Sequence, residues 1–469
     1  MGRVILLLVL FLFPLPLSAQ IKEAEFKGSF YPKEKAELEA QIEAFLRDVK
    51  AERIFGEPIG ILAPHAGYMY CGATMAYAYR QIQGRTLEAA ILTGPSHRYT
   101  FQGVAVYKDG AFETPLGRTP VETKTTRQIM ERLPFAKDFH LAFEKEHSLE
   151  VQLPFLQKVA PGIRIVPLLF GSLSFGQMRQ IASVLCEVFK ERRALIVASS
   201  DMSHYHPEAE ARRIDLRTLK MIEEMDAHGL YEAMSRGESE LCGPGPVLAL
   251  LFVTRMLNGG AKILFYDTSA RQAGKDSVVG YGAAVFYKER MLTEGQARAL
   301  LCLARESIEK FLREGSLPAI SVEDEALLQR KGVFVTLKKK GTLRGCMGLV
   351  LPSLPLYEAV RRGAVLSATE DPRFRPLSLD ELKDIRIEIS ILGPPRRIRD
   401  PQDIEVGKDG LFVVKGERLG LLLPQVAREY GLSREQFILE TLKKAGLGLA
   451  ALLEKEAALY AFRAQIVSE

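Results

Sequence analysis

The stretch IGILAPHAGY, residues 59–68, decides the fold of the first half of the chain. Residues 59–63 form a short, continuously apolar run, which is typical of a strand that is covered on both faces. A loop that carries His65 ends this run, and residues 72–82 then have the pattern of a helix that begins with small residues. A buried strand, a polar loop and a helix in this order predict an α/β fold.

The same alternation continues as far as about residue 289. Apolar runs that predict strands lie at residues 89–93, 163–170, 194–199, 263–266 and 278–287. Segments that predict helices lie at residues 34–50, 147–159, 175–189, 208–225 and 247–257. Continuous apolar strands separated by helices predict a largely parallel or mixed sheet with helices on both faces.

The pattern changes after residues 288–293. Thr293 and Gln296 predict a capping box that begins a helix over residues 294–313. Hairpins are predicted over residues 333–347 and 411–423. Helices are predicted over residues 355–368, 424–430 and 433–445, and strands over residues 385–392 and 459–467. Because hairpins outnumber crossovers here, we expect an α+β domain. The sequence therefore predicts an α/β domain over residues 21–289 and a smaller, unrelated α+β domain over residues 292–469.

The N-terminus has the order of a secretory signal peptide. Residues 1–3 carry a positive charge, residues 4–17 are apolar with two prolines, and small residues follow up to residue 20. This order predicts a signal peptide over residues 1–20 and export to the periplasm or the outside of the cell. The alternatives are an uncleaved N-terminal anchor and a misassigned start, which would leave the chain cytoplasmic. No other segment is apolar enough to predict a stable membrane span.

Composition and charge argue against a nucleic-acid partner. The 469-residue chain has a formal net charge of +5, and its basic residues form no dense stripe. Residues 338–340 are expected at a hairpin tip, and Arg361 and Arg362 on a helix. A phosphate-binding surface needs clustered charge, so we expect solvated faces here.

The five cysteines are too few for a disulfide framework. Cys186 and Cys302 lie in the apolar helical patterns VLCEVF and LLCLAR, which favour burial in the core. Two interpretations of Cys71 stay open. It packs within its helix, or it lines a pocket and pairs with Cys242 when no metal is bound.

Five short polar clusters could carry chemistry. Four lie just after an apolar strand or at the start of a helix, where ligands collect in open α/β sheets, and the fifth precedes a helix. They are residues 63–68, 94–97, 146–150, 199–206 and 241–246, and they contain five of the seven histidines. Imidazole and thiolate are the usual ligands of Zn, Cu and Fe. A single loop histidine is commonly a satisfied polar residue, but the clusters together favour a metal site.

These clusters resemble the motifs of a known family. The segments are APHAGYMYCG (63–72), GPSH (94–97), EHSLEVQLPF (146–155), SSDMSH (199–204) and LCGPGP (241–246). In this order they resemble the Memo family, over about residues 28–287. The resemblance implies a fold related to the class III extradiol dioxygenases, which hold non-haem iron with two histidines and a carboxylate. Memo proteins are expected to have a cysteine at the carboxylate position.

The resemblance implies that His65, His97 and Cys242 bind a metal ion, with His147, His204 and Asp201 as neighbours. We expect Asp201 to orient a ligand or accept a proton, and either histidine to move protons. A thiolate in place of a carboxylate favours Cu, Zn or thiolate-bound Fe. Dioxygenase activity does not follow from the fold. Two functions stay open: a metal-dependent enzyme, in the first place an oxidoreductase, and a non-enzymatic module that carries metal or binds a peptide.

The second domain resembles the AMMECR-type domain over about residues 292–467. The segments that carry this resemblance are TLRGCMG (342–348), EDPRFRPL (370–377), IRIEISIL (385–392), LGLLLPQVA (419–427) and TLKKAGL (441–447). Met347 stands where the family has isoleucine. Proteins that combine the two domain types are components B and A of the AmmeMemoRadiSam system, which implies a radical-SAM partner. An exported chain would be separated from a cytosolic partner.

Cys346 is the candidate site residue of the second domain. Arg344 lies two residues away, on the same face of a predicted strand, and a nearby guanidinium lowers the pKa of a thiol and makes it reactive. The alternative is that the glycines beside Cys346 serve a turn and that the thiol packs in the core. Glu370, Asp371 and Arg373 are expected to form a local ion-pair network.

Overall fold

The computed structural model describes residues 20–50, 54–191, 193–454 and 456–469 of the chain. An α/β domain is followed by a smaller α+β domain, as the sequence predicts. The predicted signal peptide lies outside the described residues, apart from Gln20 at its end. Among the described residues, no helix is both long enough and apolar enough to cross a membrane.

The first domain contains twelve strands and nine α-helices in the described part of the chain. The strands are β1 (Ile21–Lys22), β2 (Gly56–Ala63), β3 (Ala89–Pro95), β4 (Val104–Val106), β5 (Ala111–Thr114), β6 (Gly117–Pro120), β7 (Ala136–Asp138), β8 (Arg164–Phe170), β9 (Ala194–Ser199), β10 (His204–His206), β11 (Gly260–Thr268) and β12 (Val278–Glu289). The helices are α1 (Lys35–Arg47), α2 (Tyr68–Arg80), α3 (Thr123–Arg132), α4 (Leu153–Val159), α5 (Phe175–Glu191), α6 (Glu208–Glu223), α7 (Ala227–Ser235), α8 (Pro244–Met256) and α9 (Ala270–Ala273). Short 3-10 helices cover His140–Phe143 and Glu150–Gln152.

A mixed sheet of nine strands organises this domain. Its order is β10-β12-β2-β9-β3-β8-β4-β7, and β11 also pairs with β12. Strands β2, β9, β3 and β8 are parallel neighbours, whereas β12 and β4 run antiparallel to them. The predicted helix over residues 72–82 begins earlier, at Tyr68, and the helical prediction for residues 147–159 corresponds to a 3-10 turn followed by α4.

Helices cover both faces of the nine-stranded sheet, which is why its central strands are apolar throughout. Residues of α5 and α8, such as Leu185 and Leu248, pack on one face. Residues of α1 and α2, such as Ile42 and Met75, pack on the other. Because β2, β9 and β3 are adjacent and parallel, the loops that follow them lie together at one edge of the sheet.

The second domain has two four-stranded sheets, ordered β14-β13-β15-β20 and β16-β19-β17-β18. The strands are β13 (Val333–Lys339), β14 (Thr342–Leu349), β15 (Ile385–Leu392), β16 (Arg396–Ile398), β17 (Gly410–Lys415), β18 (Arg418–Leu422), β19 (Ala457–Phe462) and β20 (Ala464–Ser468). The helices are α10 (Glu294–Glu314), α11 (Glu325–Leu328), α12 (Leu356–Thr369), α13 (Pro424–Glu429) and α14 (Arg434–Lys444), with 3-10 turns at Leu379–Asp384, Pro401–Asp403 and Leu449–Leu453.

Two details of the second domain test the sequence patterns. The Thr293–Gln296 capping box is present at the start of α10. The single strand predicted over residues 459–467 is wrong, because the chain is divided there between two sheets. Strand β19 pairs with β16 and β17, whereas β20 pairs with β15.

The two cysteines that were expected in the core differ in their exposure to solvent. Cys186 is buried, as predicted, but Cys302 is exposed, so the prediction for Cys302 is wrong. The buried side of α10 is formed by positions such as Leu300, Ala304 and Ile308, which recur with the helical period. Position 302 lies on the opposite side of that helix, so its apolar neighbours in sequence do not cover it.

Candidate metal centre

The two predicted histidine ligands lie in the loops that follow β2 and β3. His65 lies two residues after the end of β2, and His97 lies two residues after the end of β3. Strand β9, which ends at Ser199, lies between β2 and β3. The strand order therefore brings the two imidazoles to the same edge of the sheet, with the loop after β9 between them.

Cys242 reaches the same place from the loop that precedes α8. Its backbone N–H donates to the carbonyl oxygen of Asp201 at 3.2 Å. The next residue, Gly243, packs so closely on the end of β9 that a Cβ atom would lie 2.7 Å from the carbonyl oxygen of Ser199. A glycine is thus required for the close approach that brings the thiol to the histidines.

The three predicted ligands converge. The Sγ atom of Cys242 lies 3.1 Å from Nε2 of His65. One ligand atom from each of His65, His97 and Cys242 can be chosen so that all lie within 4.8 Å of one another. His65 is buried, but 30% of the His97 side chain is exposed, so the group opens to solvent on the side of His97.

The hydrogen bonds of His65 fix its tautomer. Its Nδ1 lies 2.9 Å from Oγ of Ser199, and that hydroxyl donates its only hydrogen to the carbonyl oxygen of Ser148 at 2.6 Å. Ser199 therefore accepts from His65, which places the ring hydrogen on Nδ1 and the lone pair on Nε2. Burial, followed by the charge of His97, lowers the pKa of His65 to about 3, so the ring is neutral near pH 7.

A carboxylate holds His97 in the same way. Glu146 accepts from Nδ1 of His97 at 2.9 Å and from its backbone N–H at 2.6 Å. Burial on its own would raise the pKa of Glu146, but its hydrogen bond with His97, the charge of that ring and the backbone N–H groups of Ser148 and His97 together lower it to about 2. A carboxylate on the far nitrogen is the usual support of a metal-binding histidine.

Two imidazoles whose Nδ1 atoms are already occupied, together with one thiol, are a donor set that suits a borderline or soft transition metal. The residues present therefore fit the metal ion that the sequence motifs suggest. A second group, His97, Glu146 and His147, also has the spacing of a metal site, and it shares His97 with the first.

Comparison with known proteins identifies the family of each domain. Residues 22–285 match the family model of Memo-like proteins. The chain belongs to the Memo-like family. Residues 301–467 match the AMMECR1 family model, so the Memo-like domain is followed by an AMMECR1 domain.

Two of the relatives are MEMO1 family proteins. A MEMO1 family protein of Pyrobaculum aerophilum is 33% identical over 280 residues, which cover 57% of this chain and 100% of the relative. A MEMO1 family protein of Aquifex aeolicus is 34% identical over 270 residues, which cover 57% of this chain and 99% of the relative. A crystal structure of a Pyrococcus horikoshii protein is 39% identical, with a TM-score of 0.36, over 37% of this chain and 92% of that chain.

The thiol of the Memo-like site is protonated in the absence of metal. Burial, followed by the charge of Asp201, raises the pKa of Cys242 above its usual range. The backbone N–H of Asp201 donates to Sγ of Cys242 at 3.0 Å, and this bond would stabilise a thiolate. A metal ion bound here would therefore displace the thiol proton, and the backbone N–H of Asp201 would remain as a hydrogen-bond donor to the sulfur.

The other predicted site residues lie in the loops around the three candidate ligands. Asp201 accepts from the backbone N–H of His65 at 2.7 Å, so it positions that loop, and burial raises its pKa. The ring of His147 stacks on that of His97, with centroids 4.6 Å apart. Burial, followed by the charge of His65, lowers the pKa of His147 to about 4. His204 is held by its Nδ1 atom, 3.0 Å from the carbonyl oxygen of Met202.

Sequence reasoning did not assign a role to the groups that orient the ligands. Ser199 and Glu146 lie within the quoted clusters, but neither was singled out. Gln152 donates from Nε2 to Oγ of Ser199 and to the carbonyl oxygen of Pro64, both at 2.9 Å. Only the three-dimensional structure shows which ring nitrogen each of these groups meets. The one signal in the sequence was the position of Glu146 beside His147.

The remaining cysteines of interest are free thiols. Cys71 is buried and donates to the carbonyl oxygen of Ala66 at 3.1 Å, which supports its packing role. In the AMMECR1 domain, Arg344 pairs with Glu381 at 3.0 Å. Burial raises the pKa of the Cys346 thiol, so the expected lowering by Arg344 is wrong.

The expected ion pair beside Cys346 is partly present. Arg373 pairs with Asp371 at 2.7 Å, and no ion pair of Glu370 occurs in the described part of the chain. Asp371 also accepts from the backbone N–H of Cys346 at 2.8 Å.

Proposed function

We propose that the Memo-like domain is a metal-dependent redox enzyme that binds Cu, Fe or Zn through His65, His97 and Cys242. The observation that carries this proposal is the commitment of both Nδ1 atoms, one to Ser199 and the other to Glu146. Each imidazole is therefore oriented by its Nδ1 atom before any metal arrives, and Nε2 of His65 already faces the sulfur of Cys242, which is the preorganisation that a metal site needs.

The surroundings favour a reactive site over a closed storage site. His97 is partly exposed, which leaves one side of the group open to an exchangeable ligand such as water or substrate. A bound metal would supply a Lewis acid and, for Cu or Fe, a redox-active centre.

The chain's own residues can hold protons beside this centre. His147 has a neutral ring near pH 7, and its buried Nδ1 has no hydrogen-bond partner in the described structure. It is therefore the base that we assign to proton transfer. Asp201 orients the loop of His65, and we assign His204 to the same proton-handling group.

The test is metal content and redox cycling of the full chain. Anaerobically purified wild type should hold about one Cu or Fe per chain by mass spectrometry, and this metal should change oxidation state with dithionite and ferricyanide. His65→Ala and Cys242→Ser should lose the metal. A metal that neither cycles nor exchanges a ligand would identify a metal-carrying module instead. Wild type that binds Cu, Zn and Fe no better than both variants would refute the site.

A further inference from the structure

The two domains are joined by buried ion pairs. Arg255, near the end of α8, pairs with Asp403 of the second domain at 2.8 Å. Arg399 of the second domain pairs with Asp226, next to α7, at 2.7 Å. Both carboxylates are largely buried, and each pair links a residue of the first domain to a residue of the second.

A cavity of about 380 Å³ lies within this interface. It is lined by the end of α8 and the linker over residues 288–292 on one side, and by residues 391–396 and 463–465 on the other. It is separate from the metal centre, because Cys242 precedes the first turn of α8 and the cavity adjoins its last turn, about 18 Å along the helix axis. Residues 391–396 and 463–465 of the lining lie outside the Memo-like match, which covers residues 22–285.

The lining is strongly basic. One acidic residue, Glu289, lines the cavity together with six basic residues: Arg255, Lys288, Arg290, Lys331, Arg396 and Arg463. Four of the six have acidic partners, namely Asp403, Glu289, Asp409 and Glu405. Lys288 and Arg290 have none among the described residues, so the cavity carries uncompensated positive charge.

Two of the arginines share one buried carboxylate. Asp409 is fully buried and lies between them, 2.5 Å from Nη2 of Arg396 and 2.9 Å from Nε of Arg463. The contacts of Arg396 with described residues all run through Nη2. Its Nη1 and Nε donors are therefore left for a ligand, and a guanidinium with two free donors is suited to a carboxylate or a phosphate.

Apolar side chains complete the lining. Phe55 and Met256 of the first domain and Pro394 of the second are among them. The volume falls within the range of small-molecule sites, which are commonly found between domains. A ligand that matches both parts of the wall needs an anionic group and an apolar body.

We propose that this interdomain cavity binds a small organic anion, a carboxylate or phosphate ester with an apolar body. Arg396 and Arg463 receive the anionic group, and Lys288 and Arg290 supply the net attraction. The proposal is independent of the metal centre, since it requires no residue of that site.

Isothermal titration calorimetry on the full chain tests this proposal, with phenyl phosphate, benzoate, inorganic phosphate and phenol as probes. At low salt, phenyl phosphate or benzoate should bind more tightly than inorganic phosphate, because only the aromatic anions fill the apolar part. Phenol should not bind. Failure of both aromatic anions to bind wild type would overturn the proposal.

Charge reversal localises the binding. The double variant Lys288→Glu with Arg290→Glu should bind the aromatic anion at least about tenfold more weakly, since two uncompensated cations become anions. The control, Lys262→Glu with Lys383→Glu, makes the same change of net charge at exposed sites outside the cavity lining and should stay within about twofold. Equal loss in both doubles would overturn the proposal. The neutral pair Lys288→Gln with Arg290→Gln should show a smaller loss in the same direction.

Discussion

The Nε2 atom of His65 and the Sγ atom of Cys242 are 3.1 Å apart, although the two residues are separated by 177 positions in the chain. This contact places the sulfur in the candidate centre, where it should discriminate between soft and hard metal ions. Cys242→Ser should weaken the binding of Cu(I) by more than tenfold and that of Mg²⁺ or Mn²⁺ much less, because a hydroxyl is a harder ligand than a thiolate. Competition titrations with a chromogenic chelator measure both affinities.

His140→Ala is the matched control for these titrations. The ring of His140 stacks on Tyr107 with centroids 4.0 Å apart, and its Nδ1 lies 2.6 Å from Oε1 of Gln20. It belongs to neither group with metal-site spacing, so its removal should leave Cu(I) affinity unchanged. A loss as large as that of Cys242→Ser would contradict the assignment.

Substitution of the residues that orient the candidate ligands should weaken metal binding nearly as much as substitution of the ligands themselves. Ser199→Ala removes the acceptor of His65, and Glu146→Gln replaces one of the two oxygens that accept from His97 with an amide. Each change should lower metal affinity about 10- to 100-fold, as is usual for such supporting residues. Ser235→Ala, on the exposed end of α7, should have no effect. Wild-type affinity in Ser199→Ala would show that the tautomer is not fixed by this serine.

Metal binding should release a proton from Cys242. Its pKa is raised, so the thiol is protonated near pH 7, whereas His65, with a pKa of about 3, is already neutral there. Affinity for Zn²⁺ should therefore increase with pH between pH 7 and 8. Calorimetry in buffers of different ionisation enthalpy should give about one proton more for wild type than for Cys242→Ser. Equal proton release in the two proteins would contradict a metal-bound thiolate.

The cysteines should react in an order that the sequence alone did not predict. Cys302 is exposed on α10, whereas Cys346 is partly buried and its thiol pKa is raised. We expect Cys302 to react with a thiol reagent at least about tenfold faster than Cys346 or Cys186. The Cys302→Ser variant should lack the fast phase. Persistence of that phase, assigned by mass spectrometry to Cys346, would restore the original prediction.

Strand-end loops made the site predictable from sequence. His65 and His97 each follow a buried strand, and the carboxyl ends of neighbouring parallel strands meet at one edge of a sheet. The orienting bonds were not predictable, because whether Ser199 meets Nδ1 or Nε2 depends on sub-ångström placement of the loops. The family resemblance supplied the link to Cys242, which lies before a helix and after no strand.

The two errors in the second domain have different causes. For Cys302 the helical period was available, and burial at positions 300, 304 and 308 already puts position 302 on the other side. The division between β19 and β20 is not visible in the sequence, because both strands are apolar enough for one strand pattern to continue across Arg463. Which sheet a strand joins is decided by distant partners.

The pair between Arg399 and Asp226 should stabilise the whole chain. Asp226 is almost fully buried, and it also accepts from the backbone N–H of Gly229 at the start of α7. Arg399→Ala would leave a buried carboxylate without its cationic partner, which costs about 1–3 kcal/mol of unfolding free energy. Urea denaturation measures this cost, and Arg217→Ala, which breaks an exposed pair with Glu238, should cost less than about 1 kcal/mol.

A second substitution separates the effect of the Arg399–Asp226 pair from that of other contacts of Arg399. Gly229→Ala is unsuitable, because its Cβ atom would lie 2.2 Å from Oδ2 of Asp226 as well as 2.5 Å from Nη2 of Arg399. Asp226→Asn removes the charge and can still accept from the backbone N–H of Gly229. If the pair accounts for the loss, Asp226→Asn and Arg399→Ala should destabilise by similar amounts, and the double variant should lose little more than either single variant. Additive losses in the double variant would show that Arg399 acts through contacts other than Asp226.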